Sequence, residues 1–453
     1  MKYILSWFLL FFTGFMAFSQ SPTDPSPDRT IEVQQLETLR YGTENEIAAL
    51  IQTLKNENAF YLDDELITLV QSTKNRIILS GVFGFFGERG KEGLEERALR
   101  VVKEWNDEAV ETVIAALDYL GKVKAQGAID PLKDLIERDE QRFMSNAVRA
   151  LGLTGKVHPE TADNTAEFLI DFYLNRNPED EIRREIVAAL GELRSGQGIP
   201  LLSEIAVSGD ERPTLRMAAL DSLSKIGDAE GLQTILTALV SSDPNVRSGA
   251  IAALGPFSGQ EVERAILEAF RDSYYRIRIS AAKAAGERKF VEAVPYLRFR
   301  AEKDEVPAVR DEAIRALGAI GNPETSVVLA DIFGERKNSD RIRILAAEML
   351  IQNNAGDYAE KVILEMDEAK TKNQTALYNG FLRVLGTART GAIEGLARRF
   401  LTSGGVVEKS YALDMTINNE LRGLAAQVKE LTDEKNGSLA RKARDVLQKL
   451  GLD

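Results

Sequence analysis

Cysteine is absent from this chain and histidine occurs once, at position 158 of 453. Those two shortages remove the usual thiolate and imidazole ligands of a metal centre, and the base of any Ser-His-Asp or Cys-His mechanism. His158 precedes Pro159 in a loop-like stretch and has no evident catalytic companion. Aromatic residues make up only 7% of the chain, and the thirteen prolines are scarce once the first 27 residues are passed. Positive charge is in deficit too, since 57 Lys and Arg face 70 Asp and Glu for a formal net charge of −13. Nucleic-acid binding draws much of its affinity from cations that displace phosphate counterions, so that balance argues against a nucleic-acid partner and against an anionic membrane surface. The composition calls for no metal or cofactor and excludes most familiar catalytic constellations. The expectation is therefore a protein that is not an enzyme.

The only long apolar run lies at the start. Lys2 precedes the stretch Tyr3 to Phe18, and Ala17-Phe18-Ser19 forms a small-x-small cleavage pattern. Residues 1–19 are read as a signal peptide. The run is short of the ~20 residues that a spanning helix needs, so cleavage is expected rather than an uncleaved anchor. The implied location is exported, periplasmic or secreted, with no stable membrane insertion. Residues 20–43, with Pro22, Pro25 and Pro27 close together, are read as a flexible or extended leader. Without cysteine, an exported fold must rest on packing rather than disulfides.

What the rest of the chain contains is a repeat. Arg183, Arg216, Arg247, Arg278, Arg310 and Arg343 follow one another at spacings of 33, 31, 31, 32 and 33 residues. Seven residues after the Arg comes Leu190, Leu223, Leu254, Leu317 or Leu350, with Ala285 in the remaining copy. The next position is Gly191, Gly255, Gly286 or Gly318 in four copies. Weaker copies extend the phase towards residue 60 and towards Gly451, with Glu44–Glu57 as an N-terminal cap. The phase stretches between Gly155 and Arg194, and Thr161–Asn175 is read there as an irregular turn. Each unit is long enough for two helices, and its apolar residues recur every three or four positions. One pair cannot bury such a face alone, whereas stacked neighbours can. Asp243-Pro244 and Val306-Pro307 read as helix starts, and the glycines that follow the last apolar residues read as stops.

These residues resemble the HEAT repeat family, in the short bacterial form related to phycobilisome-lyase-type repeats, most clearly over residues 177–355. The resemblance implies an all-α fold, a right-handed α-solenoid of about twelve two-helix units over residues 44–453. It also implies that the second helix of each unit lines a concave face, and that the six arginines form an internal hydrogen-bonded ladder with repeated aspartates. The Asp lies from three to six residues before the Arg in different copies. If the Arg faces inward, positions one, two and five beyond it face a groove. Arg184, Met217, Ile279, Lys283, Asp311, Arg315 and Ile344 are the candidate partner-binding residues on that reasoning. Their mixture of apolar side chains with charges of both signs suits one or more proteins or peptides. The reading is a protein-binding scaffold or adaptor of the cell envelope. A second reading uses the segment 271–300, with eight Lys or Arg and three Tyr, to hold an anionic polymer or glycan. The stretch Val82–Gly87 puts three Phe between glycines and reads either as core or as an exposed docking patch.

Overall fold

Short-range signals decide where each helix begins and ends. Asp243 accepts hydrogen bonds from the backbone N–H groups of Asn245 and Val246, at 2.7 and 3.4 Å, while Pro244 occupies the first turn, where no N–H is needed. Asn75, Asp228 and Asn436 cap their helices in the same way. Gly227 and Gly321 end theirs in left-handed backbone, with φ of 76° and 64°, which glycine adopts without strain.

The computed structural model describes residues 27–452. Among them are twenty-five α-helices and no strand. The chain divides after Thr154 into two compact units. Each is an α-solenoid in which a helix of one pair packs beside its counterpart in the next. The expected signal segment, 1–19, lies outside the described residues.

The first unit holds four helix pairs, starting with Pro27–Tyr41 and Glu44–Glu57. Residues 20–43 are therefore not an extended leader throughout. Past Pro27 the chain has no further proline until Pro131 and places Leu36 and Leu39 three apart, so a helix forms and Leu39 is buried. Aromatics fill this unit's core: Phe83, Phe86 and Tyr119 are fully buried, and the Tyr119 hydroxyl accepts from the Leu94 N–H at 3.0 Å. Phe85 is buried as well, so the phenylalanines of Val82–Gly87 are core residues rather than a docking patch. Arg89 stacks over Phe85 with 4.0 Å from guanidinium carbon to ring centre, and holds Asp63 through two hydrogen bonds of 2.8 and 3.1 Å.

The second unit holds nine pairs when one long helix, Asp340–Thr371, is counted as two. That helix is interrupted at Asn354, whose φ of −153° and ψ of 73° break the helical path. The Asn354 amide donates to the Asp357 carboxylate and accepts from the Asp357 N–H, which restarts the helix without a loop. At the other end of the unit, the residues expected as an irregular turn, Thr161–Asn175, lie inside the 18-residue helix Pro159–Arg176. Ala162, Thr165, Ala166, Leu169, Phe172 and Tyr173 recur there at three- and four-residue spacing and are buried, so the extra residues lengthen a helix. His158 is the exposed residue ahead of that helix, and its side chain makes no capping bond.

Arg-bearing helices of successive units approach through small residues. A methyl group on Gly286 would sit 2.9 Å from the Ala316 Cα, and one on Gly191 would sit 2.8 Å from the Ser222 Cα. These glycines set the closeness of one helix layer.

Candidate functional site

The six repeat arginines are buried or half-buried. Arg278 is the most complete case. Its guanidinium donates two bonds of 2.8 Å to the Asp304 carboxylate, and two more, at 3.0 and 3.1 Å, to the carbonyls of Asp272 and Ser273 in the turn before its own helix. Arg278 is 5% exposed and Asp304 is 3% exposed. Arg247 repeats the arrangement with the Asp272 carboxylate at 2.9 and 3.1 Å and the carbonyls of Ser241 and Ser242. Each acid has a second task, since Asp272 accepts from the Tyr274 N–H and Asp304 from the Val306 N–H just ahead of the next helix. Burial pushes both carboxyls up, but these arginines and N–H groups outweigh it and hold them below the usual range.

The rest of the series keeps the position and varies the partner. Arg183 donates to Glu211 and to the Tyr173 hydroxyl, Arg216 to the Ala206 carbonyl and the Ser241 hydroxyl, and Arg343 to Glu365 and the Phe333 carbonyl. Arg310 differs, because its buried Nε has no hydrogen-bond partner. Asp272 and Asp304 lie six residues before Arg278 and Arg310, and the same position before Arg343 is Lys337. A cation there cannot accept the bond.

A sequence alignment on the arginines sees the acid of its own copy, whereas the partner belongs to the turn of the following unit, 25 residues beyond Arg247 and 26 beyond Arg278. That is the signal that could have identified Asp272, Asp304 and Glu211 directly. A related buried arginine in the first unit, Arg97, donates to the Val70 carbonyl and pairs with Glu108 at 3.5 Å, and no repeat phase marked it.

The candidate groove residues divide. Arg184, Met217, Lys283 and Arg315 are exposed, whereas Ile279 and Ile344 are half-buried. Met217 leans on Gly249, and Ile344 leans on Gly380, so the apolar side chains immediately after the arginine serve partly as packing between neighbouring units. Asp311 departs from the expectation: it is 3% exposed and paired with Arg341 of the next Arg-bearing helix, hence not a groove residue. The position five beyond the arginine faces solvent more consistently. Asp221, Ala252, Lys283 and Arg315 are exposed there, and Ala188 and Glu348 are half-exposed. The charges on this face pair along their own helices, Lys225 with Asp221 at 3.0 Å, Lys283 with Glu287 at 3.7 Å and Arg315 with Glu312 at 3.3 Å, and Lys225 also reaches Glu192 of the preceding unit at 3.2 Å. Exposed pairs of that kind contribute roughly 0.3–0.5 kcal/mol and are easily exchanged for a partner's charges.

Half of the eight cations of the basic segment 271–300 are committed to the fold, and Arg271, Arg276, Lys283 and Lys289 are exposed. Arg278 and Arg300 hold Asp304, Arg298 holds Glu302 and Asp331, and Arg288 donates to the carbonyls of Phe257, Leu254 and Gly255. Among the described residues, no group of three or more His, Cys, Asp or Glu could hold a metal ion, and no helix is long and apolar enough to cross a membrane.

No curated protein matches the chain. Among solved structures it is similar to Kap121p, at 12% identity and a TM-score of 0.49, over 93% of this chain and 54% of that one. The karyopherin Kap121p bound to the extreme C-terminus of the protein phosphatase Cdc14p gives 12% identity and 0.49 over 92% and 53%. An engineered protein gives 16% and 0.34 over 85% and 98%. The chain thus spans about half the length of the Kap121p structures. The family of the Spirochaete HEAT repeat protein matches residues 39–446, nearly the whole described chain. With helix pairs in series and an arginine at one register in six of them, the chain belongs to that HEAT repeat family.

Proposed function

We propose that this chain is a non-enzymatic scaffold of the cell envelope, and that it binds a partner protein along the exposed face of the Arg-bearing helices in its second unit. HEAT-repeat solenoids commonly mediate protein interactions and are typically non-catalytic. The observation that carries the reading is the composition of that face. Met217, Asp221, Ala252, Lys283 and Arg315 put apolar, small and oppositely charged side chains on successive units, as a protein interface with an apolar centre and a charged rim requires. Its ion pairs are short-range and exposed, so they give way to a partner at little cost. The envelope location rests on the signal-like residues 1–19.

Photoreactive residues at Lys283 and Arg315, with Glu261 on the neighbouring helix Gln260–Ala269 as the control position, test it in envelope fractions. The expected outcome is one discrete protein adduct from Lys283 and Arg315 that Met217→Glu abolishes. Adducts from Glu261 alone, or no protein adduct, would contradict the assignment of this face. Recovery of the chain only in the cytoplasmic fraction would contradict the location.

A further inference from the structure

A separate feature lies on the other helix of the pair. The helix Val294–Lys303 reads VPYLRFRAEK, and the helix Ile199–Val207 reads IPLLSEIAV. Both place Pro in the first turn, and both bury the Leu two residues later, Leu297 and Leu202, with Ala301 and Ala206 buried beyond it. In this register Phe299 stands where the fold elsewhere sets Glu204, an exposed carboxylate. Phe299 is 56% exposed, and no packing demand of the unit accounts for an aromatic ring at a solvent position.

Phe299 lines a pocket of about 370 Å³ together with Arg271, Pro295, Tyr296 and Arg300. Tyr296 is held by the buried Phe270, ring to ring at 5.7 Å, which makes it a firm wall. Two guanidinium groups line the pocket and no carboxylate does. Arg300 is fixed by Asp304 at 3.2 Å and by the Phe270 carbonyl. Arg271 is loosely held: it lies 5.6 Å from the Tyr296 ring centre, and its pair with Glu268 is an exposed contact between residues three apart. Such a pair exchanges readily for another carboxylate.

The geometry points to a docking pocket for an acidic peptide segment of a partner protein, one that puts an aromatic or large aliphatic side chain against Phe299, Pro295 and Tyr296 and an adjacent carboxylate on Arg271. Charge complementarity selects the acid, because the pocket is cationic within a chain of net charge −13. A polyanion is disfavoured at this pocket, since Arg300 is already engaged by Asp304 and Arg271 is the one loosely held cation among its lining residues, too little charge to release many counterions. This pocket is independent of the face described above, and each stands if the other falls.

The test is selection of a phage-displayed library of random twelve-residue peptides on the full chain, followed by fluorescence anisotropy with the enriched peptides. Enriched sequences are expected to carry an aromatic or large aliphatic residue within two positions of Asp or Glu, and to bind at least tenfold more weakly to Phe299→Ser and to Arg271→Glu. Circular dichroism verifies that both exposed substitutions leave the helices intact, and Arg276→Glu, also exposed but outside the pocket, should leave binding unchanged. Enrichment of no such motif, or unchanged affinity for Arg271→Glu, would overturn the proposal. So would binding of heparin with a steep salt dependence that the same two substitutions abolish while the peptides do not bind.

Discussion

Arg278 and Arg310 occupy the same position in neighbouring units and meet different surroundings. Arg278 closes a buried two-bond ion pair with Asp304 from the next turn, whereas for Arg310 the matching position of the following turn is Lys337 and the Nε has no partner. The two units share their helices, their apolar register and their close glycine contacts. The difference shows that the arginine is not by itself the link between units. The acid of the following turn completes it, and that acid also accepts from the Val306 N–H just ahead of the next helix, so one carboxylate serves two repeats.

The largest way to break the comparison is to remove the acid. Asp304→Ala leaves a buried guanidinium uncompensated and should lower stability by about 3–5 kcal/mol, read as a shift of the urea midpoint. Next come the close contacts. Gly286→Ala drives a methyl group into the Ala316 backbone and should cost about 1–3 kcal/mol. Gly249→Ala meets only the flexible Met217 side chain, from 3.2 Å outward, and should cost clearly less; equal losses would show that backbone closeness is not the cause.

Acid sharpens the contrast further. Asp272, Asp304 and Glu408 all titrate below their ordinary values, so their contributions are present above the unfolded-state pKa and are lost as pH falls through the folded one. Burial pushes Glu408 up, but Lys370, Tyr378 and the Gly405 N–H hold it down to about 2, so its share disappears between about pH 4.5 and 2. Glu408→Gln should therefore flatten the fall of the urea midpoint over that range, and an unchanged slope would contradict the pairing. The smallest effects belong to the incomplete rung. Arg310→Met should change stability by no more than about 1 kcal/mol, and Lys337→Asp should raise it by a similar amount by giving Arg310 an acceptor.

Much of the fold was legible because HEAT units repeat their apolar and glycine positions at nearly constant spacing, which displays one phase in six copies. The parts that were not legible each break the phase for a local reason. Pro22, Pro25 and Pro27 suggested an extended leader, yet Pro at the start of a helix is tolerated and Leu39 supplies a buried anchor. The long helix Pro159–Arg176 disrupted the spacing and so resembled a turn. Asp311 followed the groove rule by position but found Arg341 of the next Arg-bearing helix, a contact that a single repeat cannot reveal. The same limit hid the ladder's acids, since each acid lies ahead of its arginine, beyond the arginine's own copy. Phe299 was visible only as one aromatic in a basic stretch until the helix register placed it among solvent-facing positions.

The most direct test is a double-mutant cycle on Arg278→Met and Asp304→Asn, with the cycle on Arg310→Met and Lys337→Asn as its internal comparison. The account predicts a coupling of about 2–3 kcal/mol for the first pair and one within about 0.5 kcal/mol of zero for the second. Equal couplings, or none at the first pair, would contradict the claim that the acid of the following turn joins one repeat to the next.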